Sequence, residues 1–147
     1  MFIQPYVYFD GRCDEALKFY AMALGAETTV LMRFKDNPDL QSKEGCAPGM
    51  ENVSGEKVMH ANVKIRDTQI MMSDGMCGGT PKFEGISLTL NAKDPADAEK
   101  LFAALSEGGQ VQMPLTETFF AKKFGMVFDK FGVSWLIIAE KPMPTAS

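Results

Sequence analysis

Apolar positions recur along the chain with two different periods, and their order repeats once. Residues 3–9 are rich in aromatic and β-branched side chains and stop at Asp10-Gly11, a turn signal, so they read as a strand. Cys13, Ala16, Leu17, Tyr20, Ala23 and Leu24 then follow the i, i+3, i+4, i+7 spacing of an amphipathic helix. Gly25 stands just beyond it, where glycine most easily adopts a left-handed cap. Residues 28–34 read as a second strand, and 58–65 and 69–73 as two more. The segment 58–65 alternates strictly, with Met59, Ala61, Val63 and Ile65 on one face and His60, Asn62 and Lys64 on the other.

The order then starts again. Residues 86–92 form a strand pattern, and Asp94-Pro95 supplies an N-cap with a proline at the first helical position. Ala98, Leu101, Phe102 and Leu105 make the apolar stripe, closed by Gly108-Gly109. Strands follow at 110–115, 125–128 and 133–140. Setting Ala16 on Ala98 places Lys18-Phe19-Tyr20-Ala21 on Lys100-Leu101-Phe102-Ala103. Both halves therefore read strand–helix–strand–strand–strand. The expected fold is α+β, two βαβββ modules in tandem spanning 1–78 and 84–141 within one domain, 1–147. The first module carries a polar insertion at about 36–57.

Composition adds exclusions. With 147 residues and 46% hydrophobic content, the chain can bury a core without disulfides or a structural metal. The net charge is −4, and Lys and Arg are dispersed singly except for Lys122-Lys123, which disfavours a nucleic-acid partner. Cys13, Cys46 and Cys77 contain no C-x-x-C spacing and read as reduced thiols. No basic n-region leads into an apolar stretch at the amino end, and no apolar run approaches the ~18 residues that span a bilayer. A cytoplasmic protein with no membrane partner is expected.

The chemistry on offer is sparse. His60 is the only histidine, on the polar side of its strand, where it is either a hydrogen-bonded strand residue or a binding group. No G-x-S-x-G surrounds a serine, and no Walker sequence occurs. The Gly75-Met76-Cys77-Gly78-Gly79 run lacks a following helix to hold a phosphate. Eleven methionines read first as adaptable core filler. Trp135, the only tryptophan, is either core or a stacking surface for a ligand.

Several segments in register resemble the vicinal-oxygen-chelate superfamily of glyoxalases, bleomycin-resistance proteins and extradiol dioxygenases. They are Pro5-Tyr6-Val7-Tyr8-Phe9 leading to Asp14-Glu15-Ala16-Leu17-Lys18-Phe19-Tyr20, then Leu24-Gly25-Ala26-Glu27, Met59-His60-Ala61, Ile70-Met71-Met72-Ser73-Asp74 and the run from Phe128 through Asp129-Lys130-Phe131-Gly132 to Val133-Ser134-Trp135. Their combination is most similar to the PhnB-like (YjdN-type) branch. The resemblance implies sheets curled into a cup, typically in homodimers. It also implies four metal-ligand positions, which fall here on Gln4 (or Pro5), Met71, Ser87 and Leu136. None is His or Glu, so the usual divalent-metal site and its glyoxalase or dioxygenase mechanism are not expected. A makeshift set drawn from His60, Asp74 or Glu117 is the alternative.

If Gln4 faces the cup, so do Tyr6 and Tyr8, while Val7 and Phe9 pack beneath a helix. In the second module Ser87, Thr89 and Asn91 would face the cup, with Ile86, Leu88 and Leu90 under the helix. The expected function is binding of a small organic molecule with no cofactor. The candidate ligand contacts are His60 and Trp135, followed by Tyr6, Asn62, Ser87 and Glu117. The competing functions are a glyoxalase-, lyase- or dioxygenase-type enzyme with a displaced metal, and a purely structural dimer. Members of this branch often carry phosphonate or demethylubiquinone-methyltransferase names. The chain has no basic cluster for the first and no glycine-rich loop for the second.

Overall fold

The computed structural model of the chain describes residues 1–38, 54–75 and 80–142. Most of the insertion at 36–57, with Cys46, lies outside the described residues, as do Met76, Cys77, Gly78 and Gly79 of the glycine-containing run. The chain divides into two compact units, Met1–Pro81 and Lys82–Ser147. Each contains one helix and one mixed four-stranded sheet.

The first unit runs β1 (Tyr6–Tyr8), α1 (Cys13–Leu24), β2 (Glu27–Arg33), a 3-10 turn (Phe34–Asp36), β3 (Val58–Ile65) and β4 (Thr68–Ser73). Its sheet order is β1-β4-β3-β2, with β1 and β4 parallel and the other pairs antiparallel. The apolar stripe of α1 buries Cys13, Ala16, Leu17, Phe19, Tyr20 and Leu24, and the helix packs over β3. Phe9 meets Tyr20 at a tilted 6.1 Å, so the expectation that Phe9 lies beneath the helix holds. Gly25 closes α1 at φ 65°, the left-handed cap its position predicts.

The second unit runs β5 (Leu88–Asn91), α2 (Pro95–Ser106), β6 (Gln110–Thr116), β7 (Ala121–Phe128) and β8 (Ser134–Glu140), with sheet order β5-β8-β7-β6. Asp94 caps α2 through its carboxylate, which accepts from the Asp97 amide at 2.7 Å. Helix α2 lies over β7, β8 and β6. Gly125 allows this: a Cβ there would stand 2.8 Å from Phe102 of α2. Two βαβββ units in tandem are thus the observed fold.

Three expectations need correction at their edges. The first strand begins at Tyr6 and not at Ile3, which is 95% exposed ahead of Pro5. Strand β7 begins at Ala121, four residues earlier than the pattern suggests, because Lys122 and Lys123 mask the alternation of the buried Ala121, Gly125 and Val127. Ile86 is not under α2. It precedes the first ladder pair, Leu88 with Trp135, and is 72% exposed.

One ion pair links α1 to β2. Arg33 donates to both carboxylate oxygens of Asp14, at 2.8 and 2.9 Å. These hydrogen bonds hold the Asp14 carboxyl below the usual carboxylate range, against the smaller opposing effect of desolvation. A depressed folded-state pKa gives stability that is present above the unfolded value of about 3.9 and lost as pH falls through the folded value. The Asp14 side chain is 45% exposed, so solvent screening limits the effect to under about 1 kcal/mol. Urea titrations should therefore show wild type more stable than Asp14→Asn at neutral pH, with the gap closing below about pH 4. A gap unchanged under acid would show that the pair contributes nothing through its charge.

Candidate functional site

Helix α1 covers one face of the first sheet, and alternation sends a second set of side chains to the other. Register shows which ones. Tyr6 pairs with Met71, Met71 with Asn62, and Asn62 with Val30. One step along, Tyr8 pairs with Ser73, and His60 with Met32. Cross-strand partners share a face, so Tyr6, Tyr8, Met71, His60, Asn62, Val30 and Met32 form one open surface. Tyr6, His60, Asn62 and Met71 are half-buried, whereas Tyr8, Val30 and Met32 are exposed.

A hydrogen-bonded chain crosses this surface. The Tyr6 hydroxyl lies 2.8 Å from His60 Nδ1, and His60 Nε2 lies 3.1 Å from Asn62 Oδ1. Desolvation raises the Tyr6 pKa, with the nearby Ser73 hydroxyl acting in the opposite sense, so the phenol keeps its proton. A ring hydrogen on Nε2 satisfies both contacts: Tyr6 O–H donates to Nδ1, and Nε2–H donates to Asn62 Oδ1. Tyr6 and Tyr8 stack at 4.8 Å with 14° between their planes. Gly75 (φ 60°) closes on the Tyr8 ring, where a Cβ would stand 3.1 Å from Cδ1. A side chain at position 75 would displace that ring.

Behind the surface lies a carboxylate that sequence reasoning considered only as a metal ligand. Asp74 is 1% exposed. Its Oδ1 accepts from the amides of Gly11 and Cys13, and its Oδ2 from the amide of Val58, each at 2.8 Å. It thereby caps α1, whose own N-cap residue Arg12 offers no side-chain bond. Cys13 is buried beside this carboxylate, and its thiol pKa is driven far up by desolvation, which makes the thiol inert.

The remaining candidates fall elsewhere. Trp135 is in the core of the second unit at 1% exposure, and its indole N–H donates to Asp129 Oδ2 at 2.8 Å. Asp129 also accepts from the amides of Phe131 and Val133. Ser87 shares a hydrogen bond with Ser134 at 2.7 Å. Glu117 is exposed and paired with Lys141 at 2.7 Å, and this hydrogen bond lowers its pKa.

The family metal positions test poorly on donor chemistry. Met71 sits mid-sheet between Tyr6 and Asn62, and Leu136 between Thr89 and Met126. A thioether and an alkyl group do not bind a hard or borderline divalent cation. The Asp74 oxygens already serve three amides. Among the described residues, no group of three or more His, Cys, Asp or Glu gathers as a metal site.

Sequence reasoning named Tyr6, His60 and Asn62 separately. Their bonding across 54 positions depends on the register of β1, β4 and β3. The i, i+2 spacing from Tyr6 put Tyr8 on the same face, but Tyr8 was not counted among the candidate ligand contacts.

A sequence model of the family described as 3-demethylubiquinone-9 3-methyltransferase matches residues 2–138. The chain is 37% identical to the protein YjdN of Escherichia coli (strain K12), over 97% of this chain and 98% of that one. It is also 37% identical to the crystal structure of protein PA1353 from Pseudomonas aeruginosa, at TM-score 0.79, covering 97% of this chain and 99% of the other. A glyoxylase/bleomycin resistance protein/dioxygenase domain from Frankia sp. EAN1pec shares the fold at TM-score 0.63 and 14% identity, over 98% and 95% of the two chains.

Proposed function

The chain belongs to the family described as 3-demethylubiquinone-9 3-methyltransferase, within the PhnB-like branch of the vicinal-oxygen-chelate superfamily, and on that footing we propose that it binds a small organic molecule on the open face of its first sheet without a divalent metal. The observation that carries this reading is the Tyr6–His60–Asn62 chain beside the stacked Tyr6–Tyr8 pair. It combines directional polar groups with flat apolar surface, the usual makeup of an organic-ligand site. In this reading hydrogen-bonding side chains, and not a cation, hold the ligand. Action as a cytoplasmic homodimer belongs to the same proposal. Among the described residues no helix is long and apolar enough to cross a membrane.

The family description names a methyl transfer. Free amides at a strand–turn–helix would suit an anionic group such as a phosphate. Here the Gly11 and Cys13 amides are occupied by Asp74.

His60→Ala is the direct test. Titration with small aromatic probes (benzoate, acetophenone), followed by NMR, should show about tenfold weaker binding, the equivalent of one or two hydrogen bonds. The variant should lose less than about 1 kcal/mol of stability, since His60 is only half-buried. Unchanged affinity, or collapse of the fold, would return His60 to a structural role.

A further inference from the structure

The hydrogen-bonded chain on the open face has a direction, and its end points outward. The Tyr6 hydroxyl lies 2.8 Å from His60 Nδ1, with the Ser73 hydroxyl also near it. On the far side of the ring Asn62 turns Oδ1 toward His60 Nε2 at 3.1 Å, an arrangement that calls for a hydrogen on Nε2. The Asn62 amide is thereby held in one orientation with its NH2 turned away from His60. Among the described residues that NH2 donates to nothing, while the Asn62 main-chain carbonyl is already taken by Thr29. Asn62 is half-buried, so the free donor is partly screened from water and sits next to Met71 and Val30.

Successive donation along Tyr6, His60 and Asn62 polarises the last donor and strengthens it. Its surroundings are flat or apolar: the Tyr6–Tyr8 stack on one side, Met71 between Tyr6 and Asn62, and Val30 and Met32 beyond. From this juxtaposition we infer that the site selects planar aromatic or conjugated compounds bearing a hydrogen-bond-accepting oxygen, a ketone or a carboxylate, with Asn62 Nδ2 as the specificity-determining donor and Tyr6 and His60 as the residues that orient it. This rests on the open face being the binding site. Compounds that offer only donors at the same place meet a second donor and are rejected.

The test compares acetophenone with ethylbenzene, which has nearly the same shape and no oxygen, using 1H–15N NMR of the whole chain. Acetophenone is expected to shift the Asn62 side-chain NH2 signals and to bind about tenfold more tightly than ethylbenzene. In Asn62→Asp the acceptor toward His60 survives and the outward donor becomes an oxygen, so the ratio should fall to about one. Tyr6→Phe frees His60 to take either tautomer. The ratio should fall partway, and the Asn62 NH2 signals should broaden or split. Equal binding of both probes to wild type, or a ratio that survives in Asn62→Asp, overturns the donor assignment alone. No perturbation of Tyr6, Tyr8 or His60 by either probe overturns both the assignment and the binding site beneath it.

Discussion

Replacing Asp74 by alanine is expected to remove at least about 3 kcal/mol of stability. The carboxylate is 1% exposed and serves the amides of Gly11, Cys13 and Val58. Each buried N–H left without a partner costs about 1–3 kcal/mol, and the three belong to the start of α1, the turn before it and the first residue of β3. Water entering the vacated space offsets part of the loss, which is why the lower bound is the useful figure. Asp74→Asn is the informative companion. One amide oxygen can still accept from Gly11 and Cys13, but its NH2 would then face the Val58 N–H. A loss of roughly 1–3 kcal/mol is expected there. Urea denaturation of the two variants checks both values. An alanine variant within about 1 kcal/mol of wild type would mean that Asp74 does not organise the unit.

Trp135→Ala is expected to be at least as damaging, at about 3–5 kcal/mol. The side chain is among the largest of those that are fully buried, and its loss leaves both a cavity and a carboxylate short of one donor. Trp135→Phe keeps most of the volume and removes only the indole N–H to Asp129, so it should cost about 1.5–3 kcal/mol. Thermal unfolding of both variants separates packing from hydrogen bonding. If Phe and Ala prove equally costly, the Asp129 bond dominates. If Phe is neutral, packing alone holds the residue.

Much of the fold was legible in local pattern, and the site only in part. Strand β3 follows its alternation from His60 to Ile65, where one face is buried and the other is not, but it breaks at the start: Val58 is fully buried and Met59 half-buried beside a register shift in the β2–β3 ladder. Helix α2 starts where Asp94-Pro95 says it should, since capping and the fixed proline φ are local effects. Ile86 misled because an apolar residue beside a strand looks the same in sequence whether or not the ladder has begun. Tyr6, His60 and Asn62 could be named from face and polarity, but their order in a hydrogen-bonded chain depends on which strands are neighbours. Asp74 illustrates the limit most clearly. Its three donors come from positions 11, 13 and 58, and nothing near it in sequence marks it as a cap. Trp135 was ambiguous because its indole serves a core and a ligand site equally well. Asp129, six residues before it, resolves the choice by accepting its only donor.

We propose that hydrogen-bonding side chains, and not a divalent cation, hold the ligand. The most direct check is the melting temperature of the purified protein in EDTA and then in zinc, nickel or manganese. A cation at about 100 times its dissociation constant stabilises a folded protein by about 2.7 kcal/mol, which raises the melting temperature of a chain this long by roughly 5–10 °C. The same melting temperature is expected under all four conditions. A rise of several degrees with one of these ions, reversed by EDTA, would contradict it.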